Sequence, residues 1–204
     1  MNAEAPLHEL LTVIVPVFNT KAYLSQCLDS LLAQSLPNIE IVCVDNGSTD
    51  ATIDYLSGYV SRGEIKLLYQ PIKGAPAARN MGWEAAQGDW IQFLDADDII
   101  MPNKVKHQIE LLEQSTSSSF VAAAAIKTDM ETGESIIWPV MPDVWHGLLQ
   151  NSLGNTIANL FSRKVLEQVG GWDTSLKSSQ EYDLMFRIMK HSDNVLIDTK
   201  EANS

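Results

Sequence analysis

Apolar positions recur along this chain in short blocks whose spacing alternates between two kinds. Leu11 to Val17 (LTVIVPV) is apolar at almost every step, as a strand covered on both faces must be. Residues 22–34 then place Leu24, Leu28, Leu31 and Leu32 on one helical stripe, and Pro37-Asn38 ends the run. Glu40 to Asp45 (EIVCVD) predicts a second buried strand, followed by a Gly47-Ser48-Thr49-Asp50 turn and a helix over 52–60. Residues 65–70 (IKLLYQ) form a third strand and 75–87 a third helix that stops at Gly88. Residues 90–94 (WIQFL) make a fourth strand, and Pro102 opens a helix running to about Gln114. Alternation of this kind predicts an α/β fold with a mostly parallel sheet and helices on both faces.

Beyond residue 115 the pattern loosens. A polar loop spans 115–119, a strand is expected over 120–126, and 128–134 reads as a hairpin turn. Residues 138–150 contain Pro139, Pro142, Trp145 and Gly147 and suit an irregular segment with a short helix. A strand over 156–162, a helix over 163–169 closed by Gly170-Gly171, an amphipathic helix over 182–190 and a strand over 195–198 complete the series. The chain stops soon after that strand, which suggests a piece of a longer protein or a minimal domain.

Composition narrows the function. With 204 residues, 45% apolar and 20% charged, the chain fits one soluble globular domain. Fourteen Lys and Arg against 26 Asp and Glu leave a formal charge of −12, which disfavours nucleic acid and anionic membrane surfaces. A polyphosphate ligand would be repelled as well, unless a cation stood between. Cys27 and Cys43 sit in apolar runs and read as buried free thiols, and His8, His107, His146 and His191 lack metal-ligand spacing. No secretory leader opens the sequence and no apolar run approaches the ~18 residues of a spanning helix, so a reducing, cytoplasmic compartment is expected.

Polar residues gather where the first, second and fourth strands end: Pro16-Val17-Phe18-Asn19, Asp45-Asn46-Gly47-Ser48 and Asp95-Ala96-Asp97-Asp98. In an open α/β sheet these ends share one crevice, which is where ligands bind. The acidic run fits two uses: a solvated turn with capping work for the helix at Pro102, or a hard oxygen site for Mg²⁺ or Mn²⁺ completed by ligand phosphates. Asp45 is either a turn former ahead of Gly47 or an acceptor; a uracil ring stacked on Phe18 could give its imide N–H to it. Arg79, in the first turn of the third helix, is either a surface ion-pair partner or a phosphate ligand helped by the helix N-terminus.

Taken together, V-x-V-P-x-F-N, V-D-N-G-S-T-D, G-x-x-x-A-R-N-x-G, F-L-D-A-D-D, G-G-W-D and Q-E-Y-D-L-M-F-R resemble the family 2 glycosyltransferases of the GT-A fold, from about Leu11 to Lys190. The resemblance implies an inverting, hexosyltransferase-type enzyme of polysaccharide or glycoconjugate synthesis, such as cell-wall assembly. It further implies a nucleotide-diphosphosugar donor (a UDP-sugar first), a Mn²⁺ or Mg²⁺ cofactor, and a saccharide or lipid-linked saccharide acceptor. Residues 1–115 would form the nucleotide-sugar half of a single domain and 116–204 the acceptor half, at the inner face of a membrane or free of it. Pro16, Phe18, Asn19 and Asp45 would hold the nucleobase, Arg79 the base and phosphates, and Asp95, Ala96 and Asp97 the ribose and metal. Asp98 would be a further metal ligand. Glu181 falls where the family places its catalytic base, more often Asp, just before the aromatic-Asp-Leu run; Gly171, Trp172 and Asp173 match the acceptor-lining segment, and Tyr182 would join them on the acceptor side. Two other uses stay open on the residues: a sugar nucleotidyltransferase, for which the PVFNTK loop lacks glycine, and a module that binds nucleotide sugar without turnover.

Overall fold

A computed structural model describes residues 11–36, 39–113, 115, 118–129, 131–192 and 194–199. The Pro37-Asn38 break, Gln114, part of the 115–119 loop, Met130 and His8 lie outside them. In chain order the elements are β1 (Leu11–Val17), α1 (Lys21–Leu32), β2 (Glu40–Asp45), α2 (Thr52–Ser61), β3 (Lys66–Tyr69), α3 (Ala75–Ala85), β4 (Trp90–Phe93) and α4 (Lys104–Glu113). There follow β5 (Phe120–Ala123), β6 (Ala125–Thr128), β7 (Ser135–Trp138), α5 (Val144–Leu149), β8 (Leu160–Ser162), α6 (Arg163–Val169), α7 (Gln180–His191) and β9 (Val195–Asp198).

Seven strands form one sheet in the order β3-β2-β1-β4-β8-β5-β9. The first four are mutually parallel, with Val17 beside Asp45 and Ile14 beside Phe93, so the loops after β1, β2 and β4 leave from one edge. β8 runs antiparallel to both neighbours, and β5 and β9 are parallel to each other.

The unbroken apolar runs of β1 and β2 are explained by burial on two sides. Val13, Val15, Val17 and Cys43 pack with Leu24, Leu28, Leu56, Val105 and Ile109 under α1, α2 and α4. Ile14, Val42 and Val44 pack with Ala78, Phe93, Trp172, Leu184 and Ile188 under α3, α6 and α7. Gly82 lets α3 lie directly on β1, because a Cβ there would fall 2.3 Å from Ile14 Cγ2. Both cysteines are buried and free.

Two expected strands are shorter than their sequence patterns. The 120–126 run divides at Ala124: Asn159 Oδ1 accepts the Ala123 N–H (3.3 Å), and β6 leaves to pair with β7 in a separate hairpin. The 156–162 run keeps only Leu160–Ser162, because Asn155 turns the preceding backbone by accepting the N–H groups of Ala158 and Asn159. Ser135–Trp138 is a strand with all four residues exposed, so it carries none of the alternation that marks a half-buried strand.

Candidate active site

The edge shared by β1, β2 and β4 opens into a cleft of about 470 Å³, lined among others by Pro16, Phe18, Arg79, Asp95, Ala96 and Asp97. The loops around it are pinned by two asparagines, Asn19 outside the lining and Asn46 within it. Asn19, at φ 53°, accepts the Thr49 N–H (2.7 Å) and gives its own N–H to Ser48 Oγ (3.0 Å), which joins the loops after β1 and β2. Asn46 donates to Gln70 O (2.9 Å) and Ile72 O (2.7 Å) and accepts the Gly74 N–H (2.6 Å), which sets the entry to α3.

Asp45 lies beneath this rim. It is 2% exposed and is not among the lining residues; its carboxylate accepts the N–H groups of Gly47 (3.0 Å) and Ser48 (3.1 Å). It thereby forms the turn ahead of Gly47. Phe18, by contrast, is half exposed on the cleft wall, with Lys73 Nζ 4.5 Å from the centre of its ring. Lys73 is held there by the carbonyls of Asn46 (3.1 Å) and Gly47 (3.2 Å). The sequence reading passed over Lys73; its one signal was a cation directly before the glycine that opens α3.

Arg79 is buried, yet it reaches the cleft. Its Nη2 donates to Asp95 Oδ1 (2.7 Å), and its guanidinium lies 4.6 Å from the centre of the Trp172 ring. Its Nε is buried with no hydrogen-bond partner among the described residues. Next to it, Asn80 donates to Trp172 O (2.8 Å) and accepts the N–H groups of Trp172 (2.8 Å) and Trp83 Nε1 (3.0 Å). Gly171, at φ +66°, must lack a side chain here, since a Cβ would come within 2.6 Å of both Asn80 Oδ1 and Trp83 Nε1. The Arg79-Asn80 pair and the Gly171-Trp172 pair, far apart in sequence, are two sides of one joint.

The acidic loop is electrostatically loaded. Burial first, then the neighbouring Asp95, Asp97 and Glu181 carboxylates, push Asp98 up to about 6. Among the described residues no three His, Cys, Asp or Glu side chains are gathered into a ready metal cage. Asp97 is exposed on the cleft and Asp95 is shared with Arg79, so the donor set suits a hard cation that takes one or two carboxylates and finds its other oxygens on phosphates or water. Beneath the loop, Cys27 Sγ lies 3.8 Å from Asp95 O, and burial together with the three aspartates pushes its thiol up to about 12.

Glu181, in the first turn of α7, faces the same region. Its Oε1 accepts the Thr156 N–H (2.6 Å). Burial pushes its carboxyl up, Arg79 and the Thr156 N–H hold it down, and Asp95 adds to the rise. Arg79 therefore acts on the acidic loop and on Glu181 at once. Of the other residues expected on the acceptor side, Trp172 is buried, Tyr182 packs partly against the core, and Asp173 is exposed with its carboxylate capping Ser175.

Residues 12–167 match the family model described as glycosyl transferase family 2. The chain belongs to that family. The chain is 42% identical over 107 residues to an uncharacterised glycosyltransferase of Haemophilus influenzae, covering 52% of this chain and 43% of that protein. It is 30% identical over 192 residues to one of Rickettsia prowazekii, covering 90% and 59%. Among solved structures, TarS of S. aureus in complex with UDP superposes with a TM-score of 0.78 at 20% identity, covering 95% of this chain and 59% of that one. The mannosyltransferase PcManGT of Pyrobaculum calidifontis, in complex with GDP-Man and Mn²⁺, gives 0.70 at 20% identity, covering 97% and 59%. These likenesses carry the α/β fold with its mostly parallel central sheet. The chain spans less than two thirds of the length of each. No helix among its described residues is long and apolar enough to cross a membrane.

Proposed function

We propose that this glycosyltransferase is inverting and moves a sugar from a nucleoside-diphosphate donor, a UDP-sugar first, to an acceptor hydroxyl, with Mn²⁺ or Mg²⁺ as cofactor. The observation that carries the reading is the Asp95–Arg79–Trp172 contact, which puts a buried cation between the acidic loop and Glu181. Support for the donor class comes from relatives of the same fold that bind UDP, UDP-GlcNAc or GDP-Man.

Phe18 offers a flat wall for the base, and Lys73 beside it offers donors to a base carbonyl or a phosphate. Asp97 and Asp95 would hold the cation, which when bound neutralises charge on the leaving diphosphate. Arg79 keeps Asp95 in place through its Nη2 and adds positive charge beside the site of the diphosphate. Glu181 takes the proton of the acceptor hydroxyl as the acceptor oxygen bonds to the anomeric carbon. The bond from that carbon to the diphosphate oxygen breaks at the same time, and the nucleoside diphosphate leaves with the electron pair. Burial of Glu181 raises its proton affinity, which suits it to this task; Arg79 and the Thr156 N–H work against that rise.

A thermal-shift panel of UDP-, GDP- and dTDP-sugars, each with and without Mn²⁺, tests the reading. A rise confined to one nucleotide class in the presence of metal is expected. No rise with any donor would leave a module that does not bind nucleotide sugars.

A further inference from the structure

Behind Glu181 lies a buried polar assembly that the donor cleft does not use. The Thr156 N–H that fixes Glu181 Oε1 belongs to an irregular stretch, residues 153–159, with no ladder of its own to hold it. Buried amide side chains do that work instead. Gln92 Nε2, from β4, donates to Thr156 O and Ile157 O, each at 3.0 Å, and lies 2.6 Å from Phe93 O. Gln108 Nε2, from α4, donates to Ala158 O (2.8 Å), and Asn159 Nδ2 donates to Leu153 O (3.0 Å).

Gln92 is fully buried in the middle of the sheet, where an unsatisfied amide would be costly. Its orientation is dictated from the other side: Lys104 Nζ donates to Gln92 Oε1, which turns Nε2 toward the carbonyls. Lys104 is itself buried at the start of α4; burial pushes its ammonium down to about 7, against the pull of Asp198. Charged or neutral, it remains a donor to Oε1. The charges that face Glu181 (Arg79, Asp95 and Asp98) act through space, whereas the Thr156 N–H fixes one carboxylate oxygen directly.

We infer that Gln92, oriented by Lys104, is a positioning residue that holds the Thr156 N–H against Glu181 and so aims this carboxylate at the acceptor hydroxyl. The inference rests on the role proposed for Glu181 above. It gives β4 two tasks: the loop that follows it carries Asp95 and Asp97, and its buried side chain sets the base on the other half of the site.

The test compares the wild-type chain with Gln92→Met, Lys104→Met and Glu181→Gln by three readouts: the ¹⁵N–¹H resonance of the Thr156 amide, affinity for UDP with Mn²⁺, and turnover of the donor found in the thermal-shift panel. The Thr156 proton is expected far downfield in the wild type and moved upfield in all three variants. Gln92→Met should lower kcat by roughly 10-fold or more, as misaimed catalytic groups do. Its affinity for UDP with Mn²⁺ should stay within about twofold, the split expected when only transition-state contacts are lost. Should Gln92→Met fail to fold, Lys104→Met, which leaves Gln92 in place, carries the same comparison. A Thr156 resonance unchanged in the folded Gln92→Met and Lys104→Met chains overturns the positioning role. Full turnover by Glu181→Gln overturns the general base instead, and the two failures are read from different signals.

Discussion

The two halves of this molecule solve different problems with different materials. Between β1 and α4 the sheet is parallel, β1, β2 and β4 are buried on both faces while β3 forms the more open edge, and the cleft forms where three strands end together. From β5 onward, an antiparallel strand sits between parallel neighbours, the β6–β7 hairpin stands largely exposed, and the 153–159 stretch is carried by side-chain amides. The first half makes its site from backbone geometry, so its residues need only be placed after a strand. The second makes its site by docking Trp172 and Glu181 onto the first, through Arg79, Asn80 and Gln92. Donor binding should therefore belong to the first half and chemistry to the joint between them.

The strongest way to break that division is Glu181→Gln. It should cost roughly 10²–10⁴-fold in kcat, the usual contribution of a general base, while affinity for UDP with Mn²⁺ stays as it was. A parallel loss of nucleotide affinity would show that the acceptor half also holds the donor. Gly171→Ala attacks the joint itself. Left-handed strain and the clash with Asn80 and Trp83 should together cost about 2–4 kcal/mol of stability, measured by denaturant unfolding, while a folded fraction still binds nucleotide. Asp97→Ala lies wholly on the donor side and should weaken metal-dependent nucleotide binding by roughly 10- to 100-fold, with little change in unfolding temperature. EDTA should reproduce this loss in the wild type.

The smallest effect sharpens the electrostatic picture. The Asp98 carboxyl holds its proton more tightly in the folded chain, at about 6, than in the unfolded one, near 3.8. Its charge therefore costs stability that is absent at low pH, grows as pH rises through this window, and is complete above 6. Asp98→Asn should then raise the unfolding temperature of the metal-free chain above pH 6 by about 2–6 °C, from roughly 1–2 kcal/mol after allowance for partial exposure. Below pH 4 the two chains should melt together. Added Mn²⁺ should narrow the difference or reverse it.

The contrast between the halves also decides what could be read from sequence. β1 and β2 match their expected bounds because continuous β-branched runs between polar turns admit no other reading. The convergence of Arg79, Asp95 and Asp97 followed from their positions after strands and at a helix start. The β5–β6 division did not, because the four alanines at 122–125 carry no periodicity and the break is made by Asn159, some thirty-five residues on. The direction of β8 is likewise a property of its partners rather than of Leu160–Ser162. Lys73 and Thr156 were missed for a related reason. Thr156 acts through its backbone N–H, which leaves no mark on residue type, and Lys73 acts through a ring and two carbonyls, which a lone cation before a glycine marks only faintly.

The placement of Cys27 gives the acidic loop its own reporter. A thiol titrating near 12 under Asp95 is almost wholly protonated at neutral pH, and the protonated form does not attack alkylating reagents. Iodoacetamide can label it only during excursions that expose it to water, those that lift the loop among them. The labelling rate thus counts those excursions, and any occupant that clamps Asp95 and Asp97 should slow the clock, with no radioactive sugar or coupled assay required.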